Sequence, residues 1–139
     1  MTSENNKAIV LRFLEAFKNN DQTTLEELLA SDMVIHVPGM PGPVDRETHL
    51  QGIGAFHTAF SDLHVTIDGQ IAEGDTVATR ITWGATQTCD FQGLAASGNQ
   101  FVVNAVSFMR IKNGKVSERW FIQDDLGQMQ QLGALPSPE

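Results

Sequence analysis

Two adjacent carboxylates, Asp124 and Asp125, close the apolar run Trp120-Phe121-Ile122-Gln123. A carboxylate held against indole and aliphatic groups has its ionised form disfavoured, which brings its proton affinity toward neutral pH and suits it to acid or base work. As a pair the two could form a dyad, but the preceding hairpin separates them. Asn113-Gly114 suits a two-residue turn, so Lys112 pairs with Lys115. In step with that pair, Trp120 lies opposite Ser107, Ile122 opposite Ala105 and Asp124 opposite Val103, and alternation puts these six with Met109 on one face. That face is small and apolar around an acid, with room beside Trp120 for a ligand. The other face carries Asn104, Val106, Phe108 and Arg110 with Arg119, Phe121, Gln123 and Asp125, mixed enough to meet solvent or another subunit. Asp124 is thereby assigned to a cavity and Asp125 to the outside, and a bulge would reverse the assignment. From spacing alone the plainer role for Asp124, ending the strand or capping the turn after it, comes first.

The remaining candidates divide by position. His36 either points into the pocket, binding a ligand oxygen or orienting Asp124, or is half-buried and satisfied by backbone. His57 reads as a satisfied core residue, and His49 and His64 as surface. No pair of these has metal-ligand spacing with a third ligand nearby, so no metal site is expected. Trp120 reads as pocket floor and Trp83 as core. Phe13 and Phe17 are core, with one reaching the cavity. Gly52 and Gly54 lack the preceding strand and third glycine of a dinucleotide fingerprint, and Ser97, Ser107 and Ser117 lack the setting of a nucleophile elbow.

The elements that must position these groups follow from periodicity. Val10, Phe13, Leu14 and Phe17 recur at helical spacing behind a Ser3 cap, and Thr23 with Glu26 forms a capping box for a helix carrying Leu25, Leu28 and Leu29. Met33 to Val37 reads as a short strand, and the Pro and Gly residues from 38 to 43 as a stiff loop. A third helix over Arg46 to Phe60 presents Ile53, Phe56, His57 and Phe60 on one side. A period of two then gives strands at about 63–73, 75–89, 100–111 and 115–125, with turns at Gly74-Asp75 and Asn113-Gly114 and a longer connection at Gly93 to Gly98. Three helices followed by four long strands is the order of an α+β domain, not of a βαβ sheet. One domain over residues 1–139 accounts for the length, and only the tail from Pro136 to Glu139 looks loose.

Composition narrows the function classes. A net charge of −8, with 9 Lys and Arg scattered among 17 Asp and Glu, argues against nucleic acid as a partner. No apolar run approaches the roughly 20 residues that span a bilayer, and Met1 to Lys7 is polar with no signal core behind it, so no membrane is expected. The single Cys89 cannot form an internal disulfide, which fits a reducing cytoplasm. Tyr is absent, so no phenol is available as an oxyanion donor.

Gly114-Lys115-Val116, Glu118, Trp120, Asp124, Gly127 and Gln130-Gln131-Leu132-Gly133 together resemble the C-terminal signature of the SnoaL-like polyketide cyclases, a branch of the nuclear transport factor 2-like superfamily. Phe13 and Phe17, His36, Phe60-Ser61-Asp62-Leu63, Glu73 to Ala78, Phe91-Gln92-Gly93 and Ser97-Gly98 agree in order, so the match covers nearly the whole chain. The resemblance implies a cone-shaped barrel, with three N-terminal helices packed in the concave face of a curved, mainly antiparallel sheet. It also implies a pocket in the mouth and dimerisation through the outer sheet face. It further implies that Asp124 acts as general base in an aldol ring closure, without metal or cofactor, on a hydrophobic carbonyl-bearing molecule. Beside Asp124, the site expected to contact that molecule is His36, Trp120, Ser107, Phe17, Val103 and Ile122. The characterised cyclases place a His near the position of Ser107, where this chain has only a hydroxyl. Two other readings stand beside the cyclase: a non-catalytic module holding an apolar ligand in the same cone, and an epoxide hydrolase. The last needs Asp, Asn and Arg around a water, with Arg80 as one candidate.

Overall fold

A computed structural model describes residues 2–136. The chain opens with helix α1 (Ser3–Asn19), capped by the Thr2 hydroxyl accepting from the Asn5 amide at 3.1 Å, and burying Ile9, Val10, Phe13 and Leu14 along one stripe. Helix α2 (Gln22–Leu28) is capped by Asp21 rather than by Thr23, since the Asp21 carboxylate reaches the Thr24 amide at 3.2 Å. Strand β1 (Leu29–His36) follows directly. After the Pro and Gly loop come a two-residue strand β2 (Val44–Asp45) and helix α3 (Arg46–Ala59), which Asp45 caps through the Thr48 amide at 2.9 Å.

The four long strands follow in the expected order: β3 (Phe60–Glu73), β4 (Thr76–Gln87), β5 (Gln100–Lys112) and β6 (Lys115–Gln123). With β1 and β2 they make one six-stranded sheet in the order β2-β1-β6-β5-β4-β3, antiparallel except where β1 lies parallel to β6. The sheet is mixed, curved and open, not a closed barrel. Register shifts in β3 between Ser61 and His64 and between Ile67 and Gly69 mark irregularities of the kind that bend a strand. Helices α1 to α3 fill the concave side against Val77, Ile81, Trp83, Phe101, Val103, Ala105 and Met109, giving one continuous core.

Two features depart from the pattern read along the sequence. The expected strand over 115–125 stops at Gln123, and a fourth helix α4 (Asp125–Gln131) follows. More consequentially, Asn113-Gly114 does form the tight turn, with φ of 54° and 76° and Lys112 opposite Lys115, but the ladder then slips. Ile111 pairs with Val116 and Arg110 with Glu118, leaving Ser117 as a one-residue bulge whose hydroxyl donates to the Arg110 carbonyl at 3.2 Å. Beyond it Phe108 faces Trp120, Ser107 faces Phe121, Val106 faces Ile122 and Ala105 faces Gln123. Because strand side chains alternate, that single residue exchanges the two faces of β6. Of the tail expected to be loose, residues 137–139 lie outside the described residues.

Candidate functional site

A cavity of about 390 Å³ opens between the helices and the concave side of the sheet. Its wall is mainly apolar and aromatic: Leu14 and Phe17 from α1, Ile35 from β1, Ile53 and Phe56 from α3, Trp83 from β4 and Phe121 from β6. Met40 and Val44 from the Pro and Gly loop side, and Phe91 and Gln92 from the β4–β5 connection, line it as well. The polar groups on the wall are Thr48, His49, Gln92 and Arg119; among the described residues no carboxylate lines it.

Arg119 is the unusual member. The bulge at Ser117 turns it inward, and it is only 5% exposed. Its Nε–H donates to the Ser107 hydroxyl at 3.1 Å, and its guanidinium carbon lies 4.9 Å from the Phe13 ring centre and 4.7 Å from that of Phe121. Both are cation–π distances. Nη1–H makes a long contact of 3.5 Å to His49 Nε2. Among the described residues no carboxylate lies within ion-pair distance of the guanidinium. Burial pushes its pKa down to about 9, which still leaves it charged at neutral pH.

His49, on α3, stacks over Phe13 with ring centres 6.4 Å apart and an interplanar angle of 19°. Burial first, and the Arg119 charge second, lower its pKa to about 3, so the imidazole is neutral and Nε2 is free to accept. His49, expected at the surface, stands on the pocket wall. Its spacing carried the signal, since residues 49, 53, 56 and 60 follow one helix face. Arg119 lies inside and Trp120 outside, against expectation, because the bulge at Ser117 exchanges the faces of β6.

The other expected site residues scatter. Phe17 lines the cavity, as one of the two helix-one phenylalanines was expected to. Ser107 is buried at its edge and reaches it only through Arg119. Val103 is core, 4% exposed. Trp120 and Ile122 lie on the convex face, Ile122 being 56% exposed. His36 also lies there, stacked on Trp120 at 5.1 Å and 15°, and is satisfied by the Glu118 carboxylate at 2.7 Å rather than by backbone.

Asp124 does not face the cavity. It is exposed and caps α4, its carboxylate accepting from the Gly127 amide at 2.8 Å. The cap is tight enough that a Cβ on Gly127 would collide with the Asp124 carboxylate. The inward position at the end of β6 belongs to Gln123, whose Oε1 accepts from Trp83 Nε1 at 3.0 Å and whose amide donates to Asp125 and Gln128. Asp125 is exposed, as expected. The rest of the C-terminal signature is also structural: Gln131 exchanges two hydrogen bonds with the Val102 backbone, at 2.7 and 3.0 Å, prolonging the ladder where β6 has ended. Trp83 is both core and pocket wall, and His57 is satisfied by the Phe17 carbonyl at 2.6 Å. Arg80 is exposed, its guanidinium donating to the Asp68 carbonyl.

Comparison with known proteins agrees with this architecture. The sequence pattern of the SnoaL-like polyketide cyclases matches residues 8–132. IdmH of Streptomyces antibioticus, a candidate polyketide cyclase, is 32% identical over 92% of this chain and 98% of its own, with a TM-score of 0.82. AclR of Streptomyces galilaeus, a candidate hydroxylase, is 27% identical over 97% and 100%, with a TM-score of 0.87. An LEH-like epoxide hydrolase of M. tuberculosis, 16% identical over 95% and 92% with a TM-score of 0.76, shares the fold. No curated protein matches the sequence.

Proposed function

This chain belongs to the SnoaL-like polyketide cyclase family, and from that premise we propose that it is a cofactor-independent enzyme acting on a hydrophobic, carbonyl-bearing small molecule. The observation that carries the reading is the buried Arg119, without a carboxylate partner among the described residues, at a polar end of an apolar cavity. An enolate needs its developing negative charge met by fixed donors in a site shielded from water, and a guanidinium already desolvated by the protein needs no reorganisation to do so. The apolar wall would take the body of the molecule, with its carbonyl oxygen on Arg119 and beside His49. Enolisation there, with the C–H proton passing to water and its electron pair shared with the carbonyl oxygen on Arg119, would prepare the carbanion for attack on a second carbonyl of the same molecule, the aldol ring closure of a cyclase, whose new alkoxide would take a proton back from water. Asp124, which the resemblance nominates as base, has no part in this reading, because it is exposed and spent on the α4 cap.

A non-catalytic binding module is the second reading, and one observation favours it: among the described residues the wall carries no Asp or Glu, and His49 is a weak base. Epoxide hydrolysis is not retained, since Arg80 points away from the cavity and, among the described residues, neither Asp nor Asn lines it. We also propose that the chain pairs with a second copy through the convex sheet face, where Phe108, Ile122 and Ile71 are 43%, 56% and 74% exposed. Sedimentation at micromolar concentration tests this, and a monomer would refute it.

For the enzymatic reading the test is exchange of the acidic methylene protons of benzoylacetone for deuterium, followed by proton NMR. Exchange faster with the protein than with its Arg119→Met variant supports an enolising pocket. Binding with no acceleration leaves the binding module.

A further inference from the structure

The guanidinium of Arg119 has five N–H donors, of which one is used well, on Ser107, and one poorly, on His49. Nη2 has no hydrogen-bond partner among the described residues, yet it is not sealed in the core, since Arg119 is part of the cavity wall. Burying a charge without a counterion costs several kcal/mol, and apolar replacements are commonly as stable or more so. A cation kept in this way, braced by Phe13 and Phe121 and aimed into a ligand-sized space, is a site for a negative charge that arrives with the ligand. Among the described residues no group on the wall is placed to receive that ligand's proton: His49 turns its acceptor nitrogen toward Arg119, and Thr48 and Gln92 are not bases.

We propose that this pocket ionises its ligand, taking up a weakly acidic enol or phenol as the anion, with the oxyanion on the free N–H groups of Arg119 and the displaced proton released to bulk water. The bond broken is the acidic O–H, or the C–H of the parent 1,3-dicarbonyl; the electron pair stays on the ligand, and Arg119 keeps all its protons. The substrate class is thereby restricted to molecules whose enolate or phenolate is accessible near neutral pH, and simple ketones and esters fall outside it. The inference rests on the reading of the same cavity as an enolate-binding site, but it does not require turnover. The low basicity of His49 and the retained charge of Arg119 at neutral pH are consistent with it.

The test uses 4-nitrophenol, whose phenolate is coloured and whose phenol is not, with neutral 4-nitroanisole as its size match. Titrated with pH in the presence of saturating protein, the bound phenol should ionise at least about one pH unit below the free compound, equivalent to tenfold tighter binding of the anion. Arg119→Met should abolish the shift while still binding 4-nitroanisole as the wild type does, and Arg119→Lys should keep part of it. The second variant retains a cation and keeps the test valid if Arg119→Met does not fold. A bound probe that titrates like the free one, equal affinity for probe and anisole at pH 8, or a shift that survives Arg119→Met would each overturn the proposal. Ionisation of the probe without deuterium exchange into benzoylacetone would keep this inference and remove the enzymatic reading, so the two fail separately.

Discussion

The two faces of the β5–β6 hairpin hold two arginine environments of opposite character. On the convex side Arg110, opposite Glu118 and 45% exposed at its side chain, donates to that carboxylate at 2.8 Å and lies 5.5 Å from the Trp120 ring centre, with His36 on the carboxylate's other oxygen. On the concave side Arg119 is buried, has no carboxylate partner among the described residues, and is held by two phenylalanines and one hydroxyl. The outer cation is matched but solvated, so its ion pair is worth about 1 kcal/mol or less. The inner cation is unmatched where matching would count most. Stability does not explain such an arrangement, whereas a charge awaiting an oxyanion does.

The sharpest way to break this contrast is to neutralise each arginine in turn. Arg119→Met should slow deuterium exchange about a hundredfold or more, in line with the loss of a principal oxyanion donor. Arg110→Met should leave the rate unchanged. Equal losses from both would mean that position inside the cone is irrelevant.

A second prediction concerns acid. His49 has its folded pKa lowered to about 3 from 6.5, so the unfolded chain binds the extra proton first and the native state loses stability as pH falls from about 6.5 toward 3. Thermal melts across that window should show His49→Leu declining less steeply than the wild type. Parallel curves would mean that the imidazole is not desolvated against Arg119.

Asp124→Ala should cost about 1 kcal/mol as a lost helix cap, with exchange into benzoylacetone unaffected. A folded variant without activity would instead restore Asp124 as the base. The smallest effect is expected from Glu118→Gln, which weakens the exposed network around Arg110 and His36 by about 1 kcal/mol or less in a urea melt.

Much of this architecture was legible. The apolar periods, the caps at chain positions rich in Asp and Thr, and Asn113-Gly114 gave the helices, the four long strands and the hairpin, because each is set by local chemistry. On β5, Val103, Ala105, Ser107 and Met109 are inward as alternation required. The faces of β6 were not legible, since a bulge at Ser117 leaves no mark in residue type and one unpaired residue reverses every side chain after it. That reversal moved Trp120, Ile122 and Asp124 out of the expected site and brought in Arg119 and Phe121. The C-terminal signature is visible in residue type, but its Asp124, Gly127 and Gln131 cap α4 and tie it to β5, a structural role that residue type alone does not distinguish from a catalytic one. The parallel pairing of β1 with β6 depends on contacts far apart in sequence, which no local pattern encodes.

The central claim is that Arg119 is held for a ligand and not for the fold. Arg119→Met should therefore melt at or above the wild-type temperature while its affinity for 4-nitrophenol at pH 8 falls at least about tenfold. A variant that melts well below the wild type, yet still binds the phenolate, would contradict it.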